Sequence, residues 1–212
     1  MPLREPRLTL NIHPDRVTNP TFLIGEGKFK MMEAAKEGSV SFSCQGVGNY
    51  VYVVEEIAKC LRSYTLKELM TDALKKSKPV LSFIIMYDSD IFRNYSVLVS
   101  ACELAAALKK KFGRMPYFLL WDEKYGKGFD DMKVNLLAKG LNYKDFCFVM
   151  EGEKFTSSAR TVIKSADSRY HRDLKYDSPY SLFIYESLWT KCVKPLYDAQ
   201  LEKSRANICY TA

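Results

Sequence analysis

Residues 80–90 read VLSFIIMYDSD, an apolar run rich in β-branched side chains that ends in two aspartates, Asp88 and Asp90. A run of this length after a proline predicts a strand that is buried on both faces. The aspartates then follow the carboxyl end of the strand, which is where open α/β sheets place their ligand sites. Two carboxylates this close repel each other unless a positive charge lies between them, and a divalent cation commonly supplies that charge. A polar turn that ends a core strand is the alternative interpretation.

The chain around this stretch alternates between predicted strands and helices. Strands are predicted at residues 21–25, 39–44, 117–121 and 146–150, and helices at residues 29–37, 47–61, 66–76, 94–112 and 131–138. This alternation predicts an α/β fold in which helices cover both faces of a mostly parallel sheet. Beyond residue 154 the pattern weakens. It predicts a helix over 156–172, a strand over 181–185 and a helix over 188–202 with a break near Pro195.

Three parts of the chain are predicted from this pattern. Residues 1–20 contain four prolines and are typical of an extended N-terminal arm, with one short strand at residues 8–12. Residues 21–153 carry the alternating elements, and residues 154–212 form a C-terminal α/β extension.

The spacing of apolar residues predicts which helix faces are buried. The first helix is expected to bury Met31, Met32, Ala34 and Ala35. The second is expected to bury Val47, Val51, Val54, Ala58 and Leu61. The helix at residues 94–112 is expected to bury Val97, Ala101, Leu104 and Leu108.

Composition limits the classes of function. The 212 residues carry a formal net charge of +7, which favours a polyanionic partner such as DNA or RNA. The six cysteines form no CxxC pair and there are only two histidines, so we expect neither a zinc site nor a catalytic triad. We find no signal peptide and no apolar run of the ~18 residues that a membrane helix needs. We therefore expect a soluble cytoplasmic protein with no membrane partner. Association with the nucleoid and an origin in a virus or plasmid are both compatible with this expectation.

Charged side chains follow several of the predicted strands. Glu26 follows the first strand, Asp88 and Asp90 the third, and residues 122–123 (Asp-Glu) the fourth, with Lys127 a few residues beyond. Because parallel strands end at the same edge of a sheet, these residues are expected to converge there. Mg²⁺ is commonly held by one or two carboxylates together with water and substrate phosphate, so this edge is a candidate magnesium site.

Four features in this order carry a resemblance to a known family. They are a strand followed by Glu26-Gly27, then Gly46-Val47-Gly48-Asn49, then Asp88-Ser89-Asp90, and finally Lys127-Gly128-Phe129-Asp130-Asp131. The series resembles the Toprim superfamily of primases, topoisomerases and nucleases. It is most similar to the Toprim-like domains of phage and mobile-element replication proteins. The resemblance covers roughly residues 21–140, and it makes residues 21–153 a Toprim-like catalytic domain.

The resemblance implies a function and a set of site residues. It implies Mg²⁺- or Mn²⁺-dependent phosphodiester chemistry on DNA or RNA, by a nuclease or a primase-type subunit of a replication or repair complex. Glu26, Asp88, Asp90 and Lys127 would be catalytic, and the metal ligands would be Glu26, Asp88, Asp90 and Asp130. For Asp130 and Asp131, capping of the following helix is an adequate structural explanation. The zinc module of bacterial-type primases and the tyrosine domain of topoisomerases are absent from the sequence.

A basic stretch at residues 154–176 predicts contacts with a nucleic-acid backbone. It has six basic and two acidic residues, with two tyrosines interleaved. The residues predicted to contact nucleic acid are Lys28, Lys127, Lys154, Arg160, Lys164, Arg169 and Arg172. A solvated helix face explains the stretch equally well.

Two other functions compete with this interpretation. The first is a non-catalytic nucleic-acid-binding or assembly module with a vestigial acidic site, and residues 39–61 faintly resemble Alba-type RNA-binding domains. Carboxylates gathered without a metal would repel phosphate, which disfavours this reading. The second is an S-adenosylmethionine-dependent methyltransferase. The stretch FLIGEGKF resembles the glycine-rich first loop of that family. That family needs an acidic residue after the second strand, where this chain has Cys44 and Gln45.

Overall fold

The structure is a computed structural model that describes the backbone of residues 8–11, 17–18, 21–63, 68, 82–167, 169 and 178–210. Side chains are described for residues 17–18, 21–63, 68, 82–167, 169 and 178–203. The helix expected at residues 66–76 and the first two residues of the 80–90 stretch lie outside the described residues. The chain forms two compact units. The first comprises Met1–Tyr87 and Glu103–Tyr117, and the second comprises Asp88–Cys102 and Phe118–Ala212.

The first unit contains four strands of a mostly parallel sheet. They are β1 (Leu8–Asn11), β2 (Thr21–Glu26), β3 (Val40–Cys44) and β4 (Ser82–Ile85). Their order is β1-β3-β2-β4. β2 pairs in parallel with β3 and with β4, whereas β1 is antiparallel to β3. The expected α/β fold with a mostly parallel sheet is therefore confirmed, as is the short strand near the N-terminus.

Burial along the strands differs from the expectation. All five residues of β3 are buried, so it is β3 that shows the two-sided burial expected of residues 80–90. β4 is short and alternates between half-buried and buried side chains. Its pairing with β2 extends by one hydrogen bond, because the Met86 amide donates to the Ile24 carbonyl at 2.8 Å. Tyr87 stays buried beyond the end of the strand.

The α-helices of the first unit bury one face each, whereas its 3₁₀ turn buries no residue. The helical elements are α1 (Lys28–Ala35), a 3₁₀ turn (Val47–Asn49) and α2 (Tyr50–Arg62), together with the second half of α3 (Tyr95–Phe112). At the centre of the core, the Phe22 ring lies 5.9 Å from the ring of Phe42 and 5.9 Å from that of Phe83. The four residues expected to be buried on α3 are all buried.

Two of the expected helix faces are partly wrong. Met32 is 44% exposed and Val51 is 56% exposed. The α-helix begins only at Tyr50, after the 3₁₀ turn, so a face counted from Val47 is out of phase with the helix. The buried residues of α2 are Val53, Val54, Ile57, Ala58 and Cys60.

The second unit follows the chain from Asp88 through a mostly helical C-terminal half. Its elements are a 3₁₀ helix (Ser89–Phe92), the first half of α3, β5 (Tyr117–Leu120), a 3₁₀ helix (Glu123–Tyr125), α4 (Phe129–Leu137), a 3₁₀ helix (Tyr143–Phe146), β6 (Phe148–Glu151), α5 (Gly152–Asp167), α6 (Pro179–Ile184), a π-helix (Tyr185–Val193) and α7 (Lys194–Tyr210). β5 and β6 are neighbours. No helix in the described part of the chain is long and apolar enough to cross a membrane.

The strand expected at residues 181–185 is wrong, because this segment is helical. The Ser178 hydroxyl accepts a hydrogen bond from the Ser181 amide and caps α6, and Pro179 occupies the first turn. Tyr180, Ser181 and Ile184 are buried at helical spacing. The described residues after Glu151 therefore contain helices only, so the α/β character expected for the extension is not found there.

The other C-terminal expectations are largely met. The helix expected from residue 156 begins earlier, at Gly152, and its predicted end at residue 172 lies outside the described residues. The break expected near Pro195 is a change from π-helix to α-helix at Lys194. Pro195 has no amide to donate to a carbonyl of the preceding turn, so the backbone hydrogen-bond ladder is interrupted there.

Candidate active site

The two aspartates of the 80–90 stretch lie in a tight turn directly after the first unit's last strand. Asp88 and Asp90 are each only 8% exposed. The Asp88 carbonyl accepts from the Ile91 amide at 3.0 Å, which closes the first turn of the 3₁₀ helix. The Asp90 carbonyl accepts from the Arg93 and Asn94 amides at 2.8 and 2.7 Å. The backbone on both sides of the two carboxylates is therefore held by hydrogen bonds.

The loop before α4 is bonded to this aspartate turn. The Ser89 amide donates to the Lys127 carbonyl at 2.9 Å, and the Ser89 hydroxyl donates to the same oxygen at 3.1 Å. The Lys127 ammonium lies 2.9 Å from a carboxylate oxygen of Asp90. The structure therefore brings together Lys127 and Asp90, two of the residues that the sequence predicts to be catalytic.

The first turn of α4 contains a buried carboxylate oxygen without a partner. Asp131 caps the helix, since its carboxylate accepts from the Gly128 amide at 3.4 Å. Oδ1 of Asp130 is buried and has no hydrogen-bond partner. A buried oxygen of this kind costs free energy unless a ligand satisfies it. Capping therefore explains Asp131, whereas Oδ1 of Asp130 is a candidate ligand atom.

The donor set suits a hard cation that keeps part of its water shell. Asp88 and Asp90 are buried carboxylates, and Asp130 offers an oxygen without a partner. Across the described residues there is no group of three or more His, Cys, Asp or Glu side chains that could hold a metal ion. A cation at these aspartates would be held by one or two carboxylates, with water and substrate phosphate as its other ligands. Mg²⁺ binds in this manner.

Glu26 is the last residue of β2 and belongs to the first unit, where it is half-buried opposite Cys44. Burial, and then the charge of Glu26, raises the pKa of the Cys44 thiol to about 12. Burial also raises the pKa of the Tyr87 hydroxyl well above its ordinary value, with Cys44 and Glu26 contributing. Asp88, Asp90, Lys127 and Asp130 belong to the second unit, so a shared site with Glu26 stays a prediction.

A cavity of about 490 Å³ lies in the second unit, and we call it the Tyr185 pocket. Ser89 and Arg93 line it from the 3₁₀ helix after Asp88 and the end of that helix. Residues 122–124 and Lys127 line it from the segment between β5 and α4, and Tyr185 lines it from the π-helix.

Arg93 is the most constrained cation of the Tyr185 pocket. Its Nη2 and Nε donate to the two carboxylate oxygens of Glu123 at 2.6 and 3.0 Å. Its guanidinium carbon lies 3.9 Å from the centroid of the Tyr185 ring. Burial, and then the charge of Glu123, raises the pKa of the Tyr185 hydroxyl. The tyrosine is therefore neutral at physiological pH and offers an uncharged ring.

Lys124 is the second cation beside this pocket. Its ammonium lies 2.9 Å from a carboxylate oxygen of the buried Asp122. The hydrogen bond that the Lys124 ammonium donates to Asp122 raises the pKa of Lys124, so the ammonium stays charged. The other oxygen of Asp122 accepts from the Lys124 amide at 3.1 Å, which fixes the carboxylate against the loop.

The comparison with known families gives one match. A model described as Domain of unknown function (DUF3854) matches residues 16–140, more than half of the chain. The chain belongs to the DUF3854 family. No curated protein and no solved structure matches it. The DUF3854 match includes Glu26, Asp88, Asp90 and Lys127 but ends before Tyr185.

Sequence reasoning did not single out Arg93 or Tyr185, which both line the Tyr185 pocket. Arg93 lies three positions after Asp90, and the spacing Asp-x-Asp-x-x-Arg could have drawn attention to it. Tyr185 carried no usable signal, because residues 181–185 were expected to form a strand. Its place in the pocket depends on the π-helix that begins there.

The predicted nucleic-acid contacts lie in both units of the chain. Lys28 is exposed on α1 of the first unit, and Lys154, Arg160 and Lys164 are exposed on α5. Two acidic residues, Glu153 and Asp167, are exposed on α5 as well. Arg169 is exposed, with its guanidinium 5.1 Å from the Phe183 ring centroid. Arg172 lies outside the described residues, and the contacts with nucleic acid stay predictions.

Proposed function

We propose that this DUF3854 protein is a Mg²⁺- or Mn²⁺-dependent enzyme that acts on nucleic-acid phosphodiesters. It would be a Toprim-like nuclease or a primase-type subunit of a replication complex. The observation that carries the proposal is the pair of buried carboxylates, Asp88 and Asp90, in the turn that follows a parallel strand. The ordered sequence features between Glu26 and Asp131 supply the reaction class.

The burial of these carboxylates supports a functional role. Moving an ionised carboxylate out of water costs several kcal/mol, even after the protein relaxes around it. Two such groups one residue apart also repel each other. A turn that only had to end a strand could use neutral side chains at lower cost. Carboxylates gathered in this way are typical of functional sites.

The side chains of the site have distinct proposed roles. One or two of the carboxylates Asp88, Asp90 and Asp130 would hold the cation, with water and substrate phosphate as its other ligands. Lys127 would neutralise Asp90 and contact substrate phosphate. Glu26 would transfer a proton or ligate the metal, as the family resemblance implies. A bound divalent cation polarises a phosphodiester and stabilises the attacking or leaving oxygen.

The deciding experiment is a calorimetric titration with Mg²⁺ and with Mn²⁺ in the presence of single-stranded DNA. The parent is compared with Asp88→Asn/Asp90→Asn. A matched control, Asp145→Asn/Glu151→Gln, loses the same two charges at less buried positions of the second unit. We expect the parent and the control to bind metal and the aspartate variant to lose binding.

Activity is then measured on single-stranded DNA and RNA, in cleavage and in primer synthesis. Product should require metal, and it should disappear in Asp88→Asn/Asp90→Asn and in Glu26→Gln while thermal unfolding stays cooperative. If the parent binds no metal at millimolar concentration, the proposal is refuted. The non-catalytic nucleic-acid-binding module would then replace it.

A further inference from the structure

We infer that the Tyr185 pocket binds a single nucleotide, with its base against the Arg93–Tyr185 pair and its phosphates at Lys124 and Lys127. This inference rests on the proposed function for its biological role, and it deepens that function by naming the unit of substrate that is held. It also assigns a function to the π-helix that carries Tyr185.

The size and lining of the pocket suit such a ligand. Small-molecule sites usually enclose about 300–1,000 Å³ and combine apolar or aromatic surface with a few polar groups. The volume of about 490 Å³ falls within that range. The lining contains one tyrosine ring, one serine hydroxyl, three cations and two carboxylates. Each cation has a carboxylate partner, that of Lys127 being Asp90, and the ammonium groups of Lys124 and Lys127 remain more than half exposed. A planar ligand with an anionic group matches this combination.

The base would stack on a platform that is already ordered. Two hydrogen bonds to Glu123 fix the plane of the Arg93 guanidinium, and the Tyr185 ring supports it at 3.9 Å. Arginine planes and aromatic rings are the surfaces on which proteins stack bases. Because the arginine is held before the ligand arrives, stacking costs little further side-chain entropy.

The phosphates would lie against two exposed ammonium groups. The side chains of Lys124 and Lys127 are 58% and 61% exposed, whereas their carboxylate partners, Asp122 and Asp90, are 10% and 11% exposed. Each pair therefore turns its carboxylate toward the protein and its ammonium toward solvent. An ammonium has three donors, so each lysine can keep its carboxylate contact and bind phosphate as well.

The wall that carries Tyr185 is firmly packed. The Trp189 ring of the same π-helix lies 4.8 Å from the ring of Phe92, the last residue of the 3₁₀ helix after Asp88. Farther along, the Tyr197 hydroxyl donates to the Phe146 carbonyl at 2.9 Å. π-helical turns are rare and often occur at functional sites. The segment beyond the DUF3854 match thus supplies the aromatic ring of the pocket.

The test measures the binding of ATP, tripolyphosphate and adenosine by calorimetry, with Mg²⁺ and separately with a chelator. Stacking is worth about 1–3 kcal/mol per base, so Tyr185→Leu should weaken ATP at least about fivefold and leave tripolyphosphate unchanged. Tyr185→Phe, which keeps the ring, should bind ATP like the parent. Lys124→Ala/Lys127→Ala should weaken both ATP and tripolyphosphate. The control Lys139→Ala/Lys203→Ala loses the same charge at exposed sites of the second unit and should weaken neither.

A second measurement needs no variant. Photolysis of 8-azido-ATP on the parent protein should label the peptide that contains Tyr185, and excess ATP should prevent the labelling. This readout decides the matter if Tyr185→Leu does not fold.

Each remaining outcome has a defined meaning. Absence of ATP binding in both buffers, equal loss of tripolyphosphate in Tyr185→Leu, or labelling elsewhere would overturn the nucleotide pocket, even if metal-dependent activity were found. The expected binding pattern in chelator, together with no metal binding, would sustain the pocket and refute only the proposed catalysis.

Discussion

Replacing Phe155 by alanine tests whether the segment after residue 153 is part of the same folding unit as β5. Phe155 is fully buried at the start of α5, and its ring stacks on that of Phe118 in β5 at 4.1 Å. The two residues lie on opposite sides of the domain boundary expected at residues 153/154. If that boundary separated independent domains, loss of this contact would leave residues before it largely unaffected.

The expected magnitude follows from the burial of the ring. Truncating a fully buried phenylalanine to alanine costs about 3–5 kcal/mol, because apolar surface is lost and a cavity remains. Domains are stable by only about 5–15 kcal/mol, so the loss is a large fraction of the total. For a chain of this size each kcal/mol lowers Tm by about 2–4 °C, which gives a decrease of roughly 6–20 °C.

Urea denaturation followed by far-UV circular dichroism measures the change. Phe29→Ala is the control, because Phe29 is 78% exposed and its loss should shift the free energy of unfolding by less than about 0.5 kcal/mol. Phe118→Ala/Phe155→Ala should lose less than the sum of the single variants, because the two rings share one contact. A Phe155→Ala midpoint equal to that of the parent would refute the reasoning and favour a separable C-terminal domain.

Two further predictions concern the thiols and a glycine of the site loop. Burial holds the pKa of Cys44 and of Cys147 at about 12, against 9.0 in an exposed thiol, so both should resist alkylation at pH 8 until denaturant is added. Since the unfolded chain loses these protons first, the free energy of unfolding should fall between about pH 9 and 12, and Cys44→Ala/Cys147→Ala should flatten that fall. Gly126 has φ +149°, and an added Cβ would lie 2.6 Å from the Met132 amide nitrogen, so Gly126→Ala should cost at least about 1–3 kcal/mol in thermal denaturation. Gly48→Ala, where an added Cβ meets nothing within 4 Å, should cost much less.

Features that depend on neighbours in the sequence could be predicted. The apolar spacing of α3 correctly identified its buried face, because a regular helix preserves that spacing over its whole length. The run before Asp88 correctly indicated a strand that pairs in parallel. The sequence also predicted that Asp90 and Lys127 would lie close together, because both follow strands and the strand ends were expected to converge.

Features that depend on where a helix begins, or on tertiary packing, could not be predicted from the sequence. A 3₁₀ turn before Tyr50 shifted the phase of α2 and exposed Val51, although the spacing of apolar residues looked regular. At residues 181–185 the run of apolar and aromatic residues suits a strand as well as a helix. Ser178 caps a helix here and Pro179 occupies its first turn, which favours the helix. In a sequence, such a cap is a weaker signal of secondary structure than an apolar run.

The candidate site contains residues that the sequence motifs predicted and a residue, Tyr185, that depends on packing. Asp88, Asp90 and Lys127 lie within the DUF3854 match, in motifs that can be read from the sequence. Tyr185 lies outside the match, on the π-helix whose Trp189 ring packs on Phe92. The carboxylates would determine which reaction is possible, whereas the ring would determine which ligand is held beside them. If both proposals hold, relatives that share the matched region but differ after it should depend on metal as well and differ in nucleotide preference.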